Sequence, residues 1–286
     1  METKDQRFPI VAIGASAGGL EALRGLFAQL RANTGMAFVV IQHLDPDRPS
    51  LLANLLANDH RMPVVEVTDG MRAEPNRIHV IPSGADLTIH GGILGLVVRQ
   101  PAPTPHLPID TFFRALAEDQ KSRAVGIVLS GSGSDGAEGM LAIKAEGGIT
   151  FAQDASAQFR SMPDSAVAAD AVDLRLSPEG IAEALTGLSR HPYLAGVEED
   201  EPLPDETRPH EEPLQGIFSA LRRQAHLDFA GYKRPTLRRR IARRMALRRV
   251  SSMGEYAALV EDDTTEARAL AEDILIHVTS FFRDPE

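Results

Sequence analysis

Five consecutive apolar residues, Pro9-Ile10-Val11-Ala12-Ile13, run into Gly14-Ala15-Ser16-Ala17-Gly18-Gly19 and then into Leu20-Glu21-Ala22-Leu23. A segment that is apolar on every residue can keep neither face in water, so it predicts a strand covered on both sides. The small residues that follow predict a sharp strand-to-helix turn. Such a turn lifts Ser16 to the carboxyl edge of a sheet, where the free N–H groups of a helix start attract negative charge. Two further apolar runs end on polar side chains. Ala37-Phe38-Val39-Val40-Ile41-Gln42 ends on His43, and Ala124-Val125-Gly126-Ile127-Val128-Leu129 ends on Ser130-Gly131-Ser132-Gly133-Ser134-Asp135.

The pattern continues along the first two thirds of the chain. Strand-like runs fall at Val64–Val67, Ile78–Ile81, Gly92–Val98 and Ile149–Ala152, with helical patterns at Gly19–Arg31, Ser50–Asn58, Ile109–Asp119, Gly136–Ala145 and Pro178–Leu188. Unbroken apolar strands separated by helices predict a parallel sheet with both faces covered. Leu87-Thr88-Ile89 and Leu94-Gly95-Leu96-Val97-Val98 flank Gly91-Gly92, which predicts an antiparallel hairpin. Residues 1–194 therefore read as a doubly wound α/β domain with a mostly parallel sheet and one antiparallel excursion.

Charge marks the rest. From Gly196 to Pro213 there are eight acidic residues and one basic, whereas Leu214 to Val250 holds eleven Lys/Arg and a single acid, Asp228. Residues 195–213, rich in acid and proline, have too few aliphatic side chains to bury a core and read as a linker. Residues 214–286 read as a small, basic, all-α domain, whose helix from about Pro235 to Arg249 carries seven arginines around Leu237, Ile241 and Met245.

Composition removes several classes of function. With no cysteine, disulfides, thiolate metal sites and cysteine nucleophiles are excluded, and the histidines show no metal-ligand spacing, so no metal is expected. No apolar run approaches the roughly 20 residues of a membrane helix. The polar start Met1-Glu2-Thr3-Lys4-Asp5 is not followed by the apolar core of a secretion signal, so a cytoplasmic protein is expected, without membrane insertion.

At this level each site residue has an ordinary alternative. Ser16 is a nucleophile if the turn is an elbow, or merely a helix cap or phosphate-loop residue. The Gly-x-Gly-x-x-Gly and Walker patterns are both absent. His43 is suited to take a serine proton near neutral pH, or is a satisfied structural histidine. Asp135 orients that imidazole, or caps the helix that starts at Gly136.

Taken together, Gly14–Gly19, Val40-Ile41-Gln42-His43-Leu44, Asp69-Gly70-Met71 with Val80-Ile81-Pro82-Ser83-Gly84, and Leu129–Gly136 resemble the catalytic domain of the chemotaxis protein-glutamate methylesterases, the CheB family. Ala152-Gln153-Asp154 and Met162-Pro163-Asp164-Ser165-Ala166 extend the likeness, which covers about residues 8–190 in order. The resemblance implies Ser16, His43 and Asp135 as nucleophile, base and acid, with backbone N–H groups of Ala17 and Ser132 as the oxyanion hole. It implies attack on a glutamate γ-methyl ester without a cofactor, and deamidation of glutamine by the same acyl chemistry. Both oxyanion positions depart from the commoner pattern, which has threonine after the serine and methionine three residues before the aspartate. The family's preceding receiver domain is not in this sequence, so regulation by that route is not assumed.

The segments Asp228–Ile241 and Leu275–Pro285 resemble the N-terminal helical domain of chemoreceptor methyltransferases, the CheR family. That family's adenosylmethionine domain would begin where this sequence stops, so Thr279 and Arg283 stand for an incomplete cofactor site and no methyl transfer is expected. The resemblance implies a methylated chemoreceptor or related signalling protein as partner, docked on Arg238, Arg239, Arg243 and Arg244; a sensory kinase is a second candidate. The rival class is a non-catalytic adaptor on receptors or kinases. Nucleic acid is not expected, because only Tyr232 and Phe229 interleave with the basic residues.

Overall fold

The computed structural model describes residues 8–44, 50–59, 61–99, 106–195, 211–227, 229 and 232–281. The chain divides into two compact units after Arg190.

In the first unit, β1 (Ile10–Ala15), α1 (Gly19–Gln29), β2 (Ala37–Gln42) and α2 (Leu52–Asp59) come first. They are followed by β3 (Val64–Glu66), β4 (Met71–Arg72), β5 (Arg77–Val80), β6 (Ala85–His90) and β7 (Ile93–Val98). Then come α3 (Pro108–Gln120), β8 (Ala124–Val128), α4 (Ala137–Ala145), β9 (Ile149–Gln153), α5 (Ser161–Ala168), β10 (Leu174–Leu176) and α6 (Pro178–Leu188). Seven strands form a parallel sheet in the order β10-β9-β8-β1-β2-β5-β3. The expected hairpin is β6–β7, turning at Gly91-Gly92 and joined by β4 in a separate three-stranded antiparallel sheet. The α/β fold read from the sequence is the fold observed.

The continuous apolar runs are explained by the layers they lie between. Every residue of β1, β8 and β9 is buried. Helices α1 and α6 pack on each other, and α3 packs on α4, which packs on α5. Two strongly amphipathic helices, α1 and α3, direct Leu23, Leu26 and Phe27, and Ile109, Phe112, Phe113 and Leu116, into the interior. Burial of each such side chain contributes about 1.5–3 kcal/mol.

The second unit contains α7 (Pro192–Ala195), α8 (Glu211–Gln224), α9 (Arg234–Arg248), α10 (Met253–Asp262) and α11 (Thr264–Phe281). The sequence places the first domain's end at residue 194, but α7 packs on α9 and belongs with the helices. Most of the expected linker, residues 196–210, lies outside the described residues. The helical core gathers Ile217, Leu221, Leu237, Ile241, Tyr256, Val260, Leu270 and Ile274. Among the described residues no helix is long and apolar enough to cross a membrane.

Candidate functional site

Strand register assembles the site. Ala15 of β1 lies opposite Gln42 of β2, and Gly14 lies opposite both Ile41 of β2 and Val128 of β8. Ser16 and His43, each the next residue along its strand, therefore leave neighbouring strands at the same level. Ser130 reaches that level on the other side, where the Ser16 amide donates to its carbonyl at 3.0 Å. From β1 the sheet grows first toward β2, β5 and β3 and later toward β8, β9 and β10. Ligands of open α/β sheets bind where the strand order reverses in this way.

Asp135 arrives from the loop after β8 and is 3% exposed at its side chain. Its expected alternative as a cap is not what the structure shows: Gly136, at φ 94°, holds the N-cap of α4. The Asp135 carboxylate instead accepts hydrogen bonds from the amides of Ile109 (3.0 Å) and Asp110 (2.9 Å), at the start of α3. That helix end comes close because Gly14 and Gly136 leave room for Ile109. A Cβ on Gly14 would stand 2.5 Å from Ile109 Cγ2, and one on Gly136 2.9 Å from the same atom. Two amides at the start of α3 hold that carboxylate in place.

The Asp135 carboxyl group faces His43, whose Nε2 lies 3.0 Å from Oδ2 while the ring stays 30% exposed. With Nε2–H held there, Nδ1 is the nitrogen left to accept a proton. The structure thus joins base and acid. It does not join serine and base: among the described residues Ser16 Oγ has no hydrogen bond to His43.

Ser130 has no assigned role in the sequence, yet it holds the turn that carries Ser16. Its buried Oγ donates to Ala17 O at 2.8 Å and accepts from the Phe159 amide at 3.0 Å, while its own amide donates to Gln153 Oε1 at 2.9 Å. The amides of Ala17 and Ser132 make no hydrogen bond to a protein acceptor among the described residues. A second buried acid, Asp110, accepts from the Gly139 amide at 2.7 Å. Burial raises its pKa above the ordinary carboxyl value, partly offset by that hydrogen bond. The only local sign of this seat is Pro108 at a helix start, so its link to Asp135 was not legible.

The second unit overturns part of the docking assignment. Arg243 is fully buried and binds both oxygens of Asp273 at 2.7 Å. Arg244 holds Glu266 through Nε (3.0 Å) and Nη2 (2.6 Å), and Tyr256 donates to the same carboxylate at 2.7 Å. Glu266 and Asp273 are two turns apart on α11, and Arg240, Arg243 and Arg244 share one face of α9, so the charges are internal. Arg243 offers no surface to a partner, and Arg244, 14% exposed, is committed to Glu266. Arg238 and Arg239 are half-buried and stay as candidates. Arg283 and the Thr279 side chain lie outside the described residues.

Comparison with known proteins gives two family matches in succession: CheB methylesterase over residues 11–185, and CheR methyltransferase, all-alpha domain, over residues 212–275. An uncharacterized 104.1 kDa protein of Rhodobacter capsulatus is 38% identical over 254 residues, 82% of this chain and 26% of that protein. A protein-glutamate methylesterase/protein-glutamine glutaminase of Burkholderia lata is 37% identical, covering 62% of this chain and 52% of the relative. One from Pseudomonas aeruginosa is 36% identical, covering 62% and 53%. The chain thus spans about a quarter of the first protein and about half of the other two. Among solved structures, the Thermotoga maritima CheB methylesterase catalytic domain matches with a TM-score of 0.59 at 28% identity, covering 63% of this chain and 98% of that one.

Proposed function

The chain belongs to the CheB methylesterase family, and we propose that it hydrolyses γ-methyl esters of glutamate side chains on a cytoplasmic, chemoreceptor-like signalling protein. The observation that carries this reading is the buried Asp135 carboxylate on a half-buried His43, at the strand ends beside Ser16. In the first half-reaction Ser16 Oγ attacks the ester carbonyl while His43 Nδ1 takes its proton. The imidazolium formed is stabilised by Asp135, which stays ionised. The amides of Ala17 and Ser132 would hold the oxyanion; a donor of this kind is worth about 10²–10³ in rate. His43 then returns the proton to the leaving methoxide, and methanol departs. Water, deprotonated by His43, hydrolyses the Ser16 acyl-enzyme to a glutamate. A glutamine side chain would lose ammonia by the same path. Arg238 and Arg239 are proposed contacts for the acidic partner, whether receptor or sensory kinase.

The open Ser16–His43 geometry is compatible with this chemistry, since such bonds often close only when substrate is bound. The test is methanol release from a methylated receptor by the purified chain and its Ser16→Ala variant. Wild type should release methanol, and the variant should lose on the order of 10³ or more in rate. A wild type that releases none, or a variant that releases as much, leaves the adaptor reading in its place.

A further inference from the structure

Helices α3 and α4 both begin without a side-chain cap of their own: Leu107 and Gly136, at their N-cap positions, make no such hydrogen bond. The first N–H groups of a helix have no partner inside it, and buried ones need an acceptor. Each helix receives that acceptor from the segment that starts the other. Asp135, just ahead of Gly136, gives one carboxylate oxygen to each of the Ile109 and Asp110 amides of α3. Asp110, in the first turn of α3, gives Oδ1 to the Gly139 amide in the first turn of α4, at 2.7 Å. The two acids exchange helix ends.

The exchange is close and buried. A Cβ on Gly139 would stand 2.4 Å from Phe113 Cβ and 3.1 Å from Asp110 Cα, so glycine at this position lets α4 lie directly on α3. Asp110 is 3% exposed. The turn it holds begins at the residue next to Asp135. Asp135 Oδ2, bound by the Ile109 amide, is also the atom 3.0 Å from His43 Nε2. A shift of either helix start therefore moves the oxygen that faces the imidazole.

We propose that Asp110 is a positioning residue: by pinning the first turn of α4 onto α3, it fixes the point from which Asp135 holds His43 Nε2–H and leaves Nδ1 free to accept a proton. Asp110 acts through Asp135 and not on the ester. Its part in turnover rests on the esterase reading of Ser16, whereas its hold on the ring is measurable without turnover.

The first measurement is of the ring nitrogen chemical shifts of His43, by NMR at alkaline pH, in the whole chain and in its Asp110→Ala and Asp110→Asn variants. Loss of the signals in His43→Gln assigns them. Which nitrogen of a neutral imidazole carries the proton is set by its hydrogen-bond partners. Wild type should carry it on Nε2, and Asp110→Ala should divide it between the two nitrogens. Asp110→Asn, which keeps an oxygen for the Gly139 amide, should restore Nε2. The second measurement is methanol release from a methylated receptor. Asp110→Ala should lower kcat about 10²-fold with KM unchanged, the scale of a small misplacement caused from outside the chemistry. Asp110→Asn should recover most of that loss.

An Asp110→Ala ring that stays protonated on Nε2, even in a less stable protein, makes Asp110 a plain helix cap and overturns the proposal. So does a wild-type ring protonated on Nδ1, and so does an Asp110→Asn ring that matches Asp110→Ala. If Asp110→Ala does not fold, Asp110→Glu, which offsets the acid by one methylene, takes its place with the same expected result and the same refutation. The two readings fail separately. A moved ring proton without methanol release from wild type removes the esterase reading alone. Methanol release with kcat unchanged in Asp110→Ala removes the positioning role alone.

Discussion

Asp135 and Asp273 are both carboxylates 3% exposed; the first faces a histidine, the second the guanidinium of Arg243 with Arg240 behind it at 4.0 Å. The partner of Asp135 is His43, 30% exposed at the carboxyl end of a sheet; the partner of Asp273 is Arg243, 0% exposed between two helices. The difference lies in what the cation can do. An imidazole gains and loses a proton near neutral pH, and this one has a face open to a substrate. A guanidinium stays charged and, sealed in, can only hold two helices together. Burial of an acid therefore marks a site only where its partner can both titrate and reach solvent.

The sharpest way to break this comparison is to neutralise each acid in turn. Asp135→Asn should lower ester turnover by about 10⁴, as loss of the orienting carboxylate does in a serine hydrolase, while the first unit keeps its circular dichroism. Asp273→Asn should leave turnover of a small ester intact and destabilise the second unit by about 3–5 kcal/mol, because the buried Arg243 and Arg240 lose the carboxylate they face. If Asp273→Asn abolishes turnover while the helices stay folded, the division between a working and a holding acid is wrong.

Removing the whole buried cluster separates the two acids further. Arg240 also reaches Asp273, at 4.0 Å, so Arg240→Met and Arg243→Met with Asp273→Leu replace the sealed ions by apolar groups of similar volume, and such swaps are often neutral or stabilising by about 1–4 kcal/mol. Thermal unfolding of the second unit should thus be unchanged or move upward. A loss as large as that of Asp273→Asn alone would mean that the ion pair itself, rather than the desolvation of its survivor, sets the stability.

The same contrast explains what the sequence revealed. Ser16, His43 and Asp135 were legible because each ends or follows an unbroken apolar run, and that pattern comes from burial on both faces of a parallel sheet. The seat of Asp135 was not legible, since its two amides belong to α3, at Ile109 and Asp110, and no local rule couples them to a loop after β8. Short elements escaped for another reason. β4, with two residues, and β10, with three, are too brief to show a period. Arg243 and Arg244 were misplaced because a helix with seven arginines looks solvated until Glu266 and Asp273 are found facing it from α11. Two acids two turns apart on one helix were the signal available.

His79 sharpens the comparison from the histidine side, with the smallest expected effect. It sits on β5, next to β2, and is fully buried. Its Nδ1 lies 3.0 Å from Phe38 O and its Nε2 accepts from the Glu74 amide at 3.3 Å, so the backbone uses both ring nitrogens. Burial lowers its pKa from the ordinary 6.5, with the Phe38 hydrogen bond opposing. The folded state thus keeps the ring neutral while the unfolded chain takes up a proton near pH 6.5. Its contribution to stability is complete above that value and declines as pH falls below it. His79→Leu should cost about 1–3 kcal/mol near pH 8, mainly through the Glu74 amide left without an acceptor. The gap between wild type and variant, measured by urea unfolding, should narrow below about pH 6.5 and stay flat above it. A gap that does not change with pH would show that the His79 ring is not held neutral, and that burial alone does not separate a structural histidine from His43.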